Sequence, residues 1–159
     1  MTPRLRPARP TDAGRLGAMM SDAATERPWK PRLHSGAEDI AHAGQMIDAG
    51  WVTVAEDDTD GALLGFLARE DVYVHALFIA PAAQGTGIGR ALMAEAQRHC
   101  PTLELWTFEA NHGAQRFYER AGFTVVGRSD GSQNDEGLPD IHYRWHAPAR
   151  DGSESEIRP

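Results

Sequence analysis

The chain is poor in cysteine, with one, Cys100, in 159 residues. That excludes an internal disulfide framework and fits a reducing compartment. The seven histidines, at 34, 42, 75, 99, 112, 142 and 146, are too scattered to build a zinc site with it, so no metal is expected. No apolar run approaches membrane-spanning length, and no membrane partner is expected. The opening Met1-Thr2-Pro3-Arg4 carries no signal-peptide core, so the expected location is the cytoplasm. An excess of positive charge is missing too. Sixteen Lys and Arg face 23 Asp and Glu, for a formal net charge of −7. Nucleic-acid binding depends on a cationic footprint and is disfavoured, whereas a cationic small molecule would be mildly attracted. With 41% hydrophobic residues and charge spread along its length, the chain is of a size for one ordinary globular domain.

What is present is a glycine-rich junction, Gln84-Gly85-Thr86-Gly87-Ile88-Gly89-Arg90, between an extended apolar run and a helical one. Glycines remove the side chains that would keep a ligand from the backbone. The helix starting among them adds unpaired N–H groups and the positive end of its dipole. Together these make a seat for a diphosphate. A P-loop would need Gly-Lys-Ser/Thr, and Gly89 is followed by Arg90-Ala91. A dinucleotide fingerprint needs G-x-G-x-x-G, and these glycines are spaced two apart. The other reading of the loop is a connection whose glycines serve close packing.

Around this loop the pattern predicts a single domain over residues 1–146 and a polar, loosely ordered tail over 147–159. Residues 5–8 read as a first strand, and Thr11 or Asp12 offers an N-cap for a helix to about Met20. Residues 22–35, with Trp29 and His34, read as irregular. Ser35 caps a second helix over 37–49, ended by Gly50. Strands are expected at 51–56, 63–69 and 72–79, the last apolar except for His75 and so read as buried on both faces. Ile88, Leu92 and Ala96 mark one face of a helix to about His99, stopped by Pro101. A strand at 103–107 follows. Ala114, Phe117, Tyr118 and Ala121 fall at helical spacing before Gly122, and 123–128 and 141–145 read as the final strands. Residues 129–139 between them are turn-rich and acidic.

Two of these segments together resemble a family. Gln84-x-x-Gly87-x-Gly89 is similar to the Arg/Gln-x-x-Gly-x-Gly/Ala motif of the GNAT superfamily, the Gcn5-related N-acetyltransferases. The run Asn111 to Phe123 fits their N-x-x-A-x-x-F-Y-x-x-x-G-F signature position by position, and the element order agrees over residues 3–146. The resemblance implies an α/β (α+β) domain: a mixed, mostly antiparallel sheet of about seven strands, flanked by about four helices and splayed between strands four and five. It implies an acyltransferase moving an acetyl group from acetyl-CoA to a primary amine of a small molecule or peptide. A coenzyme A-sensing module, and O-acyl or other acyl transfer, are the alternatives. The backbone from Gly85 to Arg90 would hold the pyrophosphate, together with Gln84, Thr86, Gly87, Ile88 and Gly89. Leu77, Phe78 and Ile79 would pair with the pantetheine arm and supply an oxyanion donor near Leu77 to Phe78. Asn111, Ala114 and Phe117 would flank the cofactor.

Tyr118 matches the family position whose hydroxyl protonates the departing thiolate. A phenol suits this, because thiolate and phenolate are of comparable basicity. For the base, His75 lies where relatives often carry an acidic group, and Glu56 and Glu109 are the other candidates. Trp29, Arg32 and His34 lie on the segment that in such folds walls the acceptor pocket. Homodimers are frequent in the superfamily, although no exposed apolar stripe specifies one here. The identity of the acceptor is not written in these motifs.

Overall fold

The computed structural model describes residues 2–148. The strands are β1 (Pro3–Pro7), β2 (Val52–Asp57), β3 (Leu63–Glu70), β4 (Tyr73–Ile79), β5 (Thr102–Phe108), β6 (Thr124–Ser129) and β7 (Asp140–His146). The helices are α1 (Ala13–Thr25), α2 (Gly36–Asp48), α3 (Ile88–His99) and α4 (His112–Arg120). The strands form one sheet in the order β1-β2-β3-β4-β5-β7-β6. All neighbours are antiparallel except β4 and β5.

Amphipathic helices cover the two faces. On one, Leu16, Ala43, Met46 and Ile47 from α1 and α2 pack on Val54, Phe66 and Ala68. On the other, Ile88, Leu92, Met93 and Ala96 from α3 share a core with Leu67, Leu103, Leu105, Phe123 and Tyr143. The crossing of α1 over α2 is close: a Cβ at Gly17 would lie 2.5 Å from Ile40 Cγ1. Ser35 caps α2 as expected, its Oγ accepting from the Glu38 N–H at 3.2 Å while Glu38 Oε1 accepts from the Ser35 N–H at 2.8 Å.

Three expectations need correction. α1 runs to Thr25, beyond Met20, so the first four residues of the segment read as irregular, 22–25, are helical. Asp12 occupies the N-cap position of α1, but its side chain accepts no capping hydrogen bond from the helix. Asp12 is instead buried in an ionic cluster, accepting from Arg6 Nη1 at 2.9 Å, Arg15 Nη2 at 2.9 Å and the Arg9 N–H at 2.7 Å. And β4 is not buried on both faces: of its residues only Val74 is fully buried.

The reason lies in the register. β3 and β4 pair Ala68 with Ala76, then Arg69 with Val74, so His75 is an extra residue opposite no partner. Such a bulge bends the strand and shifts the phase of its side chains. Val74 faces the α3 core, whereas Ala76 and Phe78 face the α1–α2 core. At this same point β4 leaves β5, and the two strands share only the pair Tyr73–Glu104. Beyond it they diverge into a wedge. The expected splay is present, and the bulge sits at its origin.

Candidate active site

The wedge opens into a cleft of about 970 Å³, at the upper end of the range usual for ligand sites. Ala80 donates its N–H to Leu64 O at 2.9 Å. Antiparallel pairing alternates, so Phe78 and Ala76 also bond towards β3, and the N–H and C=O of Leu77 and Ile79 turn to the gap. Gln84 Nε2 reaches Ile79 O at 3.5 Å from that side. β4 therefore offers an unpaired strand edge inside the cleft. Of the two residues expected to furnish an oxyanion donor, Leu77 has the free N–H.

Past β4 the chain turns through Pro81–Ala83 into the glycine loop. Gly85 (φ 77°) and Gly87 (φ 88°) are left-handed, which is why glycine stands there. A Cβ at either would meet nothing within 4 Å. Gly89 differs: a Cβ there would lie 3.2 Å from Phe117 Cε1, so it serves the approach of α3 to α4. Close packing thus accounts for Gly89, while Gly85 and Gly87 stay open to the cleft. The first helical bond of α3 is Ala91 N–H to Gly87 O at 3.0 Å. The N–H groups of Gly85, Gly87, Ile88, Gly89 and Arg90 find no acceptor among the described residues. They border the cleft and form an anion seat. Thr86 is the exception within the loop. Its N–H and hydroxyl both donate to Ala83 O, and it does not line the cleft.

The opposite wall comes from α4. Asn111 caps it, Oδ1 accepting from the Ala114 N–H at 3.1 Å, and Asn111, Ala114, Phe117 and Tyr118 all line the cleft. The Tyr118 ring packs edge-on against Phe117 (5.4 Å) and Phe123 (5.7 Å). Its hydroxyl has no hydrogen-bond partner among the described residues. Burial pushes its pKa up to about 12, with the Arg27 cation pulling the other way.

α1 supplies a third wall that the sequence reading missed by ending this helix too early. Met19, Asp22, Ala23, Glu26 and Arg27 face the cleft. The Arg27 guanidinium sits over the Phe78 ring, 6.0 Å from its centroid.

A profile described as "Acetyltransferase (GNAT) domain" matches residues 31–147, three quarters of the chain. The protein belongs to the GNAT family. It is 39% identical over 80 residues to the peptidyl-lysine N-acetyltransferase YjaB of Escherichia coli K12, covering 50% of this chain and 52% of that one. It is 41% identical over 70 residues to YiaC of the same organism, another peptidyl-lysine N-acetyltransferase, covering 43% and 48%. The chain thus spans about half the length of the curated relatives it matches. Its fold superposes on the solution structure of apo-YjaB with a TM-score of 0.70 at 25% identity, covering 93% of this chain and 100% of that one. YncA of Salmonella typhimurium, solved with its cofactor acetyl-CoA, superposes with a TM-score of 0.71 at 19% identity, covering 98% and 100%.

Within this GNAT domain the three expected bases lie elsewhere. His75, the bulged residue, stacks on Trp51 at 4.7 Å and pairs through Nε2 with Glu70 Oε1 at 2.8 Å, on the outer surface. Glu56 is held by Arg4 at 2.8 Å and Arg6 at 3.0 Å. Hydrogen bonds from those two arginines keep its pKa below the usual value, making it a poorer base. Glu109 is exposed and pairs with Arg128 at 3.5 Å. None of the three lines the cleft.

The expected acceptor residues divide. Trp29 rests edge-on against Phe108 at 5.8 Å, at the far end of β5, and does not line the cleft. Beside it Lys30 Nζ lies 5.4 Å above the same ring. Arg32 donates to Ser21 O and Thr25 Oγ1 and so ties the segment to α1. His34 is exposed and outside the cleft. The residues of the expected tail, apart from 147 and 148, lie outside the described residues. Among the described residues no helix is long and apolar enough to cross a membrane, and no cluster of His, Cys, Asp and Glu could hold a metal.

Proposed function

We propose that this GNAT domain is an acetyl-CoA-dependent N-acetyltransferase acting on a primary amine of a small molecule or peptide in the cytoplasm. One observation carries the reading. Among the described residues, a strand edge at Leu77 and Ile79 that no strand pairs with, an anion seat of unpaired amides at Gly85 and from Gly87 to Arg90, and the unpartnered Tyr118 hydroxyl line a single cleft. These groups fit the successive parts of coenzyme A: diphosphate on the amides, amide-containing arm along the strand edge, thiol near Tyr118. The acetyl-CoA bound to YncA and the lysine acetylation in the names of YjaB and YiaC support the same reading.

Acetyl-CoA supplies a thioester whose carbonyl carbon accepts the amine nitrogen as the carbon–sulfur bond breaks. The chain's part is to bind, align and move protons. The Leu77 N–H faces the gap and is placed to bind the carbonyl oxygen, where negative charge builds. Tyr118 gives its hydroxyl proton to the departing sulfur. The amine enters as an ammonium and must lose a proton before attack. Asp22 and Glu26 are the carboxylates that line the cleft, and with water they take that proton.

The test is an acetyl-CoA turnover assay against pooled amino acids, polyamines, aminoglycosides and lysine peptides, with thiol release in the absence of acceptor subtracted. An acetylated product is expected. Tight coenzyme A binding without product from any pool would sink the enzymatic reading and leave a binding module.

A further inference from the structure

The acceptor end of the cleft carries charges that the acetyl-transfer reading does not use. The segment after α1 spans the mouth of the wedge. Arg27 sits over Phe78 on β4, and Lys30 sits over Phe108 on β5, so each diverging strand has a cation on its terminal aromatic ring. Neither cation has a carboxylate oxygen within 4 Å among the described residues. Glu136 acts on Lys30 only from further away, and burial outweighs it, lowering the lysine's pKa. A partly desolvated cation without a counter-ion is costly, and a ligand anion would relieve that cost. Of the two, only Arg27 borders the cleft. Asp22, on the last turn of α1, and Glu26, at its C-cap, border it as well. The cleft thus presents carboxylates suited to an ammonium and, next to them, a guanidinium suited to a carboxylate.

Resting on the acetyltransferase reading, we propose that the acceptor is an amine bearing a carboxylate a few bonds from the reacting nitrogen, and that Arg27 selects it by binding that carboxylate. Arg27 is well shaped for the task, because its planar fork can give two parallel hydrogen bonds while the cation stays over the Phe78 ring. Free amino acids and peptides with an acidic residue beside the amine share this chemistry. Lys30 adds attraction from across the wedge without touching the ligand.

The experiment compares matched acceptors on wild type, Arg27→Gln and Arg27→Lys. One arm uses α-amino acids against their α-amino amides, and the other uses peptides with an N-terminal Asp against the same peptides with an N-terminal Asn. Wild type should favour the carboxylate member in at least one arm, and the favoured arm names the source. Arg27→Gln should cut kcat/KM for that member about ten-fold or more, mainly through KM, and leave its neutral partner within about two-fold. Arg27→Lys should recover part of the loss. Unchanged acetyl-CoA affinity and thermal stability exclude misfolding. Equal rates for both members in wild type, or equal losses in the variant, would overturn the proposal. Were no amine acetylated, binding of the same acceptors to the coenzyme A complex, measured by calorimetry, still decides it. A carboxylate preference abolished by Arg27→Gln would uphold it, and none would end it.

Discussion

Tyr118 is a phenol with no hydrogen-bond partner among the described residues, held in a cleft wall by three aromatic neighbours. Its ordinary pKa of 10.0 is pushed to about 12, so the proton-bearing form persists through the alkaline range and is lost only as pH rises towards that value. The group is therefore a donor and not a base at any working pH. Tyr118→Phe should lower kcat about a hundred-fold with little change in acetyl-CoA affinity. In wild type kcat should show no loss attributable to this residue between pH 8 and about pH 10. Full turnover by the phenylalanine variant across that range would remove Tyr118 from the proton pathway. Its place on the cleft wall was legible in sequence because a long motif fixes the helix register. The base was not legible, because His75, Glu56 and Glu109 were ranked by chemistry alone. Chemistry does not reveal that one is a bulge, one is locked between arginines and one points to solvent.

At the scale of elements, the glycine loop and β4 carry most of the site. Gly87 and Gly89 stand two residues apart and serve different ends, one a left-handed backbone and the other a close helix approach. Substitution separates them. Gly87→Ala should cost about 1 kcal/mol of folding stability through backbone strain, and Gly87→Asn much of that less, since asparagine tolerates this conformation. At Gly89, by contrast, asparagine should be worse than alanine, because the added atoms meet the Phe117 ring. Urea unfolding of the four variants reads this directly, and the same order at both positions would refute it. Spacing alone led to the anion-seat reading of the loop but could not apportion its glycines. In β4 the period-2 pattern failed at one residue, since a bulge inverts every side chain beyond it. The apolar run was real, but its exposure comes from the wedge, which no local pattern encodes.

At the scale of the molecule, the order of strands and helices was readable, because each helix shows its apolar stripe and each boundary its cap or glycine. What escaped were long-range charges, such as the cluster joining β1 and β2 to the start of α1. Asp12 and Arg6 are buried there, and Arg6 reaches Glu56, 50 residues away in sequence, across the β1–β2 pairing. Hydrogen bonds from Arg6 hold the Asp12 pKa at about 2, below its ordinary 3.8. The stabilisation is complete above the ordinary value and is lost as pH falls through it towards about 2. Asp12→Asn should therefore destabilise the fold by about 3 kcal/mol at neutral pH. The gap to wild type should narrow as the pH of chemical unfolding is lowered from 4 to 2, and a constant gap would contradict the assignment.

The single residue pair joining β4 to β5 has a mechanical side. It divides the sheet into one ribbon of four strands and another of three, stitched at a point and hinged on the core beneath α3. A cofactor arm lying along the free β4 edge would act as the missing length of seam. Binding would then stiffen the whole body, so the donor substrate doubles as a structural part that is replaced at every turnover.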